Sequence, residues 1–417
     1  MTSSLAIYVI SGLATAGVIL RPFQWPEAVW AVVGACLLLV FGLLPPEAAL
    51  AGVLRGKDVY FFLIGMMLLA EVARKEGLFD WLAHIAVNQA KGSGSRLFLL
   101  IYLVGILVTI FLSNDATAVV LTPAVYAAAR AARAEPLPFL FICAFIANAA
   151  SFVLPISNPA NLVVYASHMP PLIEWLARFT LPSALAIVAT FIVLRLTQNT
   201  ELGRNIAEAI EPVSLSWTGR VAGLGIIATA AVLLAASAYG LELGMPTFAA
   251  GLATTLVVLL LNRGGFAEVV RDVSWSVLPL VGGLFVLVEA LEKAGLLTML
   301  ASLLRETAQR SEDSAALGAG ALVAILCNLV NNLPAGLLAG AAVKASEAPA
   351  KLAGAILIGV DLGPNLSVTG SLATILWLVA IRREGEHVGA WCFLKLGLLV
   401  MPPALLLALA ALILQPG

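Results

Sequence analysis

"FLSNDATAVVLTP" spans residues 111–123 and sets Ser113, Asn114 and Asp115 in the middle of a long apolar tract. A polar triplet in such a place needs a solvent to be judged against, and the composition supplies it. The chain has 417 residues, of which 61% are hydrophobic and 11% charged, and its mean hydropathy is +1.02. That is more apolar surface than one aqueous core hides, and tracts of the roughly 20 residues needed to cross hydrocarbon recur along the whole length. The chain reads as a polytopic membrane protein with no soluble domain, and the triplet then lies at membrane depth. Backbone that leaves a helix there is tolerated only inside protein or beside a watery cavity.

Several function classes fall away on composition. The formal net charge is −1, which gives no electrostatic reason to expect nucleic acid or an acidic partner. Cys36, Cys143, Cys327 and Cys392 are scattered without metal-ligand or C-x-x-C spacing, so neither a disulfide frame nor a zinc site is indicated, and no cofactor is expected. The first apolar stretch, residues 5–20, lacks a basic lead-in and reads as a retained helix.

The sequence is written twice. "FLIGMMLLAEVARKEGLFDWLA" (62–83) resembles "LVGGLFVLVEALEKAGLLTMLA" (280–301), with Glu71 on Glu289 and Gly77 on Gly295, a shift of 218 residues. At the same shift Asn114 falls on Asn332, so the opening stretch is answered by "NLVNNLPAGLLAG" (328–340). "IANAASFVLPISNPANLVVY" (146–165) has a looser counterpart in "IGVDLGPNLSVTGSLATILW" (358–377). Each half thus carries two polar breaks.

Spanning helices are expected near 5–20, 27–44, 58–73, 137–167 and 174–196, and again near 217–240, 245–262, 274–291, 350–381 and 391–414. Tracts 97–130 and 315–345, each broken at its centre, are expected to be re-entrant hairpins. The basic joints, among them Arg74, Lys75, Arg130, Arg133, Arg204, Arg263 and Arg382, then share one face, the cytoplasmic one. Five spans is an odd number, so the second repeat enters the membrane upside down and the hairpin tips meet near the midplane. The expected fold is an all-α integral membrane protein of two inverted repeats of five transmembrane helices, each with a re-entrant helical hairpin and a broken helix. Residues 1–197 form the first repeat, 198–216 a cytoplasmic linker and 217–417 the second. This is the plan of a secondary transporter, whose broken helices expose unpaired N–H groups and positive dipole ends to a bound solute.

Four motifs carry a resemblance to a known family. "SNDATAVVLTPAV" (113–125), "LPISNPANLVV" (154–164), "NLVNNLPAGLL" (328–338) and "DLGPNLSVTGSLATILW" (361–377), in that order, resemble the ion transporter superfamily and within it the ArsB family of arsenite and antimonite efflux permeases. The resemblance implies export of trivalent arsenic or antimony across the cell membrane, driven by proton exchange or by an associated cytosolic ATPase. Sodium-coupled dicarboxylate carriers of that superfamily have S-N-T where this chain has Ser113-Asn114-Asp115 and Asn331-Asn332-Leu333, a departure that weakens a sodium-coupled reading.

The residues themselves point the same way. The expected substrate-binding set is Ser113, Asn114, Asp115, Thr117, Asn148, Asn158, Asn161, Asn331, Asn332, Asp361, Thr369 and Ser371, with Ser157, Asn328 and Asn365 beside them. No Lys or Arg lies in these motifs, so an anion would meet two carboxyl groups with only helix ends to compensate. A small neutral polyol such as arsenous acid offers donors and acceptors in equal number, which amides satisfy without a charge partner. Asp115 and Asp361 are the expected proton-coupling residues, because a carboxyl group at bilayer depth is costly and marks ion or proton pathways. The alternative for Asp115 is a helix cap, and for Asp361 a half-helix terminus. Cys143 and Cys327 lie one turn before their motifs and are weaker candidates as soft metalloid ligands, buried cysteine being more often a small hydrophobe. Glu71 and Glu289 read as scaffold residues, and His84, His168 and His387 as solvated ones.

Rival readings are an organic-anion carrier, a sodium/proton exchanger and an intramembrane aspartyl protease using Asp115 and Asp361. The protease lacks a G-x-G-D string around Asp361 and gives four Asn-rich breaks no purpose. Neither H-E-x-x-H nor G-x-S-x-G occurs in the chain, so no enzyme is expected.

Overall fold

The protein is described here from a computed structural model covering residues 3–165, 169–211, 213–262 and 266–415. His168 and Arg263 lie outside the described residues. The first half runs α1 (Ser3–Leu20), α2 (Glu27–Val40), α3 (Pro46–Arg55), α4 (Lys57–Lys75), α5 (Leu78–Ala90), α6 (Gly94–Phe111), α7 (Asn114–Ala116), α8 (Thr122–Ala131), α9 (Leu137–Ala149), α10 (Pro159–Tyr165) and α11 (Leu172–Thr197). A short α12 (Asn199–Leu202) opens the linker. The second half runs α13 (Trp217–Ala238), α14 (Gly244–Asn262), α15 (Phe266–Asp272), α16 (Val277–Lys293), α17 (Leu296–Arg310), α18 (Glu312–Val330), α19 (Asn332–Ser346), α20 (Ala350–Leu362), α21 (Leu372–Arg383) and α22 (Ala390–Leu414). Among the described residues the fold is all-helical, and the protein is a multi-pass membrane protein: α6, α11, α13, α14, α18 and α22 are each long and apolar enough to cross a bilayer.

The expected breaks appear as helix interruptions with local causes. Between α6 and α7 the chain turns at Leu112 and at Ser113, whose extended backbone starts α7; a π turn over Thr117–Leu121 then leads into α8. Between α18 and α19 a single residue, Asn331, makes the turn at φ 71° and ψ 153°, a region otherwise left to glycine, and its side chain accepts from the Leu333 amide at 3.4 Å. Pro155 and Pro159 lie in the α9–α10 break, and Pro364 in the α20–α21 break. Each removes a backbone donor where the helix would otherwise continue.

The halves share more elements than the expected spans. Sequence reading assigned nothing to α5 and α17, which are too short or too polar to span. Each begins after a glycine with positive φ, Gly77 at 73° and Gly295 at 89°, positions 218 residues apart where an L side chain would be strained. The short α3 and α15 likewise precede α4 and α16.

Packing between the halves is reciprocal: α4 lies on α14 and α16 lies on α2. A Cβ placed on Gly65 of α4 would fall 2.3 Å from the carbonyl oxygen of Thr247, and one on Gly283 of α16 would fall 2.8 Å from the carbonyl carbon of Ala31. Missing side chains thus let backbones touch, which is how helices gain dispersion energy where lipid supplies no hydrophobic drive. Ion pairs follow the same exchange. Arg55 of α3 meets Glu289 at 3.0 Å and Glu292 at 2.8 Å on α16, whereas Asp272 of α15 meets Lys75 at 2.9 Å on α4. Glu71 is held by Arg74 at 2.5 Å, so the two matched glutamates are tied to arginines as scaffold.

Candidate functional site

The tips of four helices meet at one small cavity. Its lining includes Asn114 and Asp115 at the start of α7, Asn158 and Pro159 at the start of α10, Asn332 and Leu333 at the start of α19, and Leu372 and Ala373 at the start of α21. Leu63 of α4 and Val277 of α16 close it. Its volume is about 10 Å³, the limit for a single water molecule, so the helix tips are closely packed here. All four helices begin at this cavity and turn their positive dipole ends toward it, although caps take several of their first amides.

Side chains around the cavity divide into those that face it and those that hold the breaks in shape. Ser113 is a cap: its Oγ accepts from the Ala116 amide at 3.1 Å. That leaves Asp115 free of the capping duty, and among the described residues no hydrogen bond reaches its carboxyl group. Asn114 Oδ1 accepts from the Asp115 amide at 2.9 Å. Thr117 faces into its own hairpin, with Oγ1 2.8 Å from that of Thr109, and does not line the cavity.

In the first broken helix, Asn158 Oδ1 accepts from the Ala160 amide at 2.9 Å while its Nδ2 donates to Asp361 Oδ1 at 2.6 Å. Asp361 itself is fully buried behind the cavity wall, and its Oδ2 has no partner among the described residues. Asn161 donates to the carbonyls of Ser151, Leu154 and Pro155 at 2.9, 3.3 and 3.3 Å, which ties the unwound segment back on itself. Ser157 donates to the Ile110 carbonyl at 3.1 Å and pins that segment to the first hairpin.

The second break is held by a separate network. Asn148 Nδ2 donates to Asn365 Oδ1 at 3.0 Å, and Ser371 Oγ donates to Asn148 Oδ1 at 3.3 Å. Ser371 also caps α21, accepting from the Thr374 amide at 3.1 Å. Asn331 Nδ2 donates to the Thr369 carbonyl at 3.2 Å, the Asn332 amide donates to the Gly370 carbonyl at 2.9 Å, and Thr369 Oγ1 donates to the Asn328 carbonyl at 3.1 Å. Asn328 Nδ2 donates to the Gly363 carbonyl at 2.9 Å.

Of the expected residues, then, Asn114, Asp115, Asn158 and Asn332 reach the cavity and Asp361 stands one hydrogen bond behind it. Ser113, Thr117, Asn148, Asn161, Asn331, Thr369 and Ser371 support the breaks. Cys143 and Cys327 are buried against backbone carbonyls, 3.9 Å from that of Phe139 and 3.9 Å from that of Val360, and neither lines the cavity. The expected set left out the lining residues Leu63 and Val277, which lie outside the four family motifs, and Pro159, Leu333, Leu372 and Ala373, which lie inside them beside the polar positions. Among the described residues no group of three His, Cys, Asp or Glu side chains is placed to hold a metal ion.

Comparison with known proteins agrees with this architecture. Residues 15–381 match the family described as citrate transporter. The chain is 30% identical to the arsenical pump membrane protein of Escherichia coli strain K12 over 417 aligned positions, covering 92% of each. It is 29% identical to that of Yersinia enterocolitica, covering 84% of this chain and 85% of the relative. Among solved structures it superposes on the YdaH transporter of Alcanivorax borkumensis with a TM-score of 0.57 at 15% identity, covering 89% of both chains. MtrF of Neisseria gonorrhoeae, described with a class of antimetabolite efflux pumps, gives 0.53 at 14% identity over 88% of this chain and 83% of that one. These two likenesses show the fold. The chain therefore belongs to the citrate transporter family and, at 30% identity over 92% of its length, to the ArsB-type arsenical pump membrane proteins.

Proposed function

We propose that this protein exports trivalent arsenic, as arsenous acid, from the cytoplasm across the cell membrane, and antimonite with it. The single observation that carries the reading is the lining of the cavity at the helix tips: three amides, one carboxyl group and four helix N-termini, with no basic side chain. A neutral trihydroxy species matches that set, since amides give and accept in equal measure. Citrate does not, because three carboxylates need fixed positive charge, and helix ends supply only about half a charge each. The relatives' description as arsenical pumps supports the same choice over an organic-anion carrier.

In this mechanism residues 1–197 and 217–417 act as inverted repeats joined by 198–216. The matched glycine turns, the matched glycine contacts and the exchanged helix pairs support that division. One repeat's hairpin and broken helix move relative to the other's, and the metalloid rides among Asn114, Asn158 and Asn332. Asp115 faces the cavity and exchanges a proton on the return step; Asp361 senses the site through Asn158. Proton exchange supplies the energy, with an associated cytosolic ATPase as the alternative source.

Reconstitution separates these. Arsenite should accumulate in proteoliposomes that hold only this protein when a pH difference is imposed, antimonite should compete, and citrate should not. Citrate uptake with no arsenite accumulation would overturn the substrate; arsenite movement that needs an added ATPase would overturn the coupling alone.

A further inference from the structure

A second cavity, larger than the one at the helix tips, lies elsewhere in the fold. It lies where the linker crosses the base of the first hairpin, has a volume of about 410 Å³, and is lined by Arg130, Arg133 and Arg204 together with Glu135, Glu201 and the start of α6 at Gly94. That is the size of a small-molecule site. Its walls are built rather than incidental. The linker is stitched to the hairpin base by the Ile206 amide on the Gly92 carbonyl at 3.1 Å and the Ala207 amide on the Ala132 carbonyl at 2.8 Å. The Ile210 amide on Asn88 Oδ1 at 2.8 Å adds a third stitch.

Charge in the cavity is unevenly satisfied. Arg204 is paired with Glu201 at 2.7 Å, but Arg130 and Arg133 have no ion-pair partner among the described residues. Arg133 sits at φ 54° in the turn that ends α8, with the Ala134 amide on the Ala129 carbonyl at 2.9 Å. With no ion-pair partner among the described residues, both arginines line the cavity with their guanidinium donors open to a ligand. Two guanidinium groups lining one cavity match the oxygens of a phosphate group, to which a guanidinium donates in pairs.

We propose that this cavity binds a phosphate ester, carried either by a phospholipid headgroup or by a soluble phosphorylated metabolite. The position favours a lipid: α6 leaves the cavity at Gly94 and exposes Leu99, Leu103 and Leu107 along its length, a surface on which acyl chains lie while the headgroup sits among the arginines. Basic pockets at the cytoplasmic edge of helical membrane proteins take headgroups by the same logic. The paired Glu201 and the nearby Glu135 leave room for a headgroup's hydroxyls or ammonium. Occupancy ties residues 201–207 to the base of the first hairpin and so restrains one of the elements lining the transport cavity.

Native mass spectrometry of the full chain in detergent tests this, with dioctanoyl phosphatidylglycerol, sn-glycerol 3-phosphate and uncharged dioctanoylglycerol as probes. The phosphatidylglycerol should bind one per chain, and the Arg130→Gln/Arg133→Gln double variant should bind it at least about tenfold more weakly, the loss of one charge-assisted contact. Arg383→Gln, at the far end of α21, should bind as the parent does. Equal binding of glycerol 3-phosphate assigns the site to a soluble ester; weaker binding assigns it to lipid. Dioctanoylglycerol binding as well as the phosphatidylglycerol, undiminished binding in the double variant, or retention of neither ester overturns the proposal. Should the double variant fail to fold, hydrogen exchange on the parent decides, with added ester expected to slow exchange over residues 130–135 and 201–207 and an unchanged pattern there refuting the site.

Discussion

Asn158 Nδ2 lies 2.6 Å from Asp361 Oδ1, joining the first broken helix to the second across 203 residues of sequence. One end of this pair borders the cavity and the other is sealed from it, with Asp361 Oδ2 unpartnered among the described residues. A buried carboxyl group with a single amide donor is a poor structural choice and a good sensor, since its cost is sensitive to any change at the donor.

Asp361→Asn keeps the acceptor for Asn158 and removes the proton site. The variant should melt within a few degrees of the parent yet lose about tenfold or more of arsenite accumulation in inverted vesicles. Full activity would reduce Asp361 to a structural residue.

Asp115→Asn makes a different separation. With an amide facing the cavity, exchange of labelled for unlabelled arsenite should persist while accumulation driven by a pH difference falls by about tenfold or more. An Asp115→Asn protein that still concentrates arsenite under that gradient would exclude it as the coupling group.

For Asn148 the expected effect is on stability. Asn148→Leu orphans Asn365 Oδ1 in a fully buried site, at about 1–3 kcal/mol, while the Ser371 hydroxyl keeps Thr374 as its partner. Unfolding curves should shift accordingly, and transport per folded molecule should drop less than in the Asp361 variant.

Helix approach is tested at Gly251. A Cβ there falls 2.4 Å from the Gly65 carbonyl oxygen, so Gly251→Val should force α4 from α14 and destabilise by about 1–3 kcal/mol. Gly12→Ala, where nothing stands within 4 Å, should be neutral or stabilise by up to about 1 kcal/mol.

The Lys75–Asp272 contact should make stability depend on pH and salt. The hydrogen bond from Lys75, with the charges of Lys75, Arg74 and Arg271, holds the Asp272 carboxyl below its ordinary value. A depressed acid stabilises the fold above its unfolded pKa, near 3.8, and that contribution disappears as pH falls through the lower folded value. Parent and Asp272→Asn should therefore differ slightly at neutral pH in low salt and converge in strong acid or high salt; a gap that persists in both conditions contradicts the ionic origin.

Much of the plan was legible in the residues. Asparagine, aspartate and proline inside apolar tracts marked all four breaks, because each of those residues conflicts with an uninterrupted helix in lipid. Matched pairs such as Asn114 with Asn332 and Gly77 with Gly295 gave the expectation of a doubled chain, and motifs free of Lys and Arg supply the amides and carboxyl group of the cavity lining. The helices α5 and α17 escaped notice because an amphipathic helix beside a membrane lacks the long apolar run that identifies a span.

By itself the sequence determined the solvent, the helical class and the places where helices end, since these follow from local chemistry and from the demand that every backbone group in lipid be paired. Only the tertiary structure decided which polar side chains are free. Asn148, Asn158, Asn161 and Asn332 are the same residue in similar motifs, yet two meet the cavity and two are consumed in holding the breaks. That division rests on partners in other elements, such as Asn365 for Asn148 and Asp361 for Asn158, and a hydrogen bond across more than 200 residues leaves no trace in the spacing of either end.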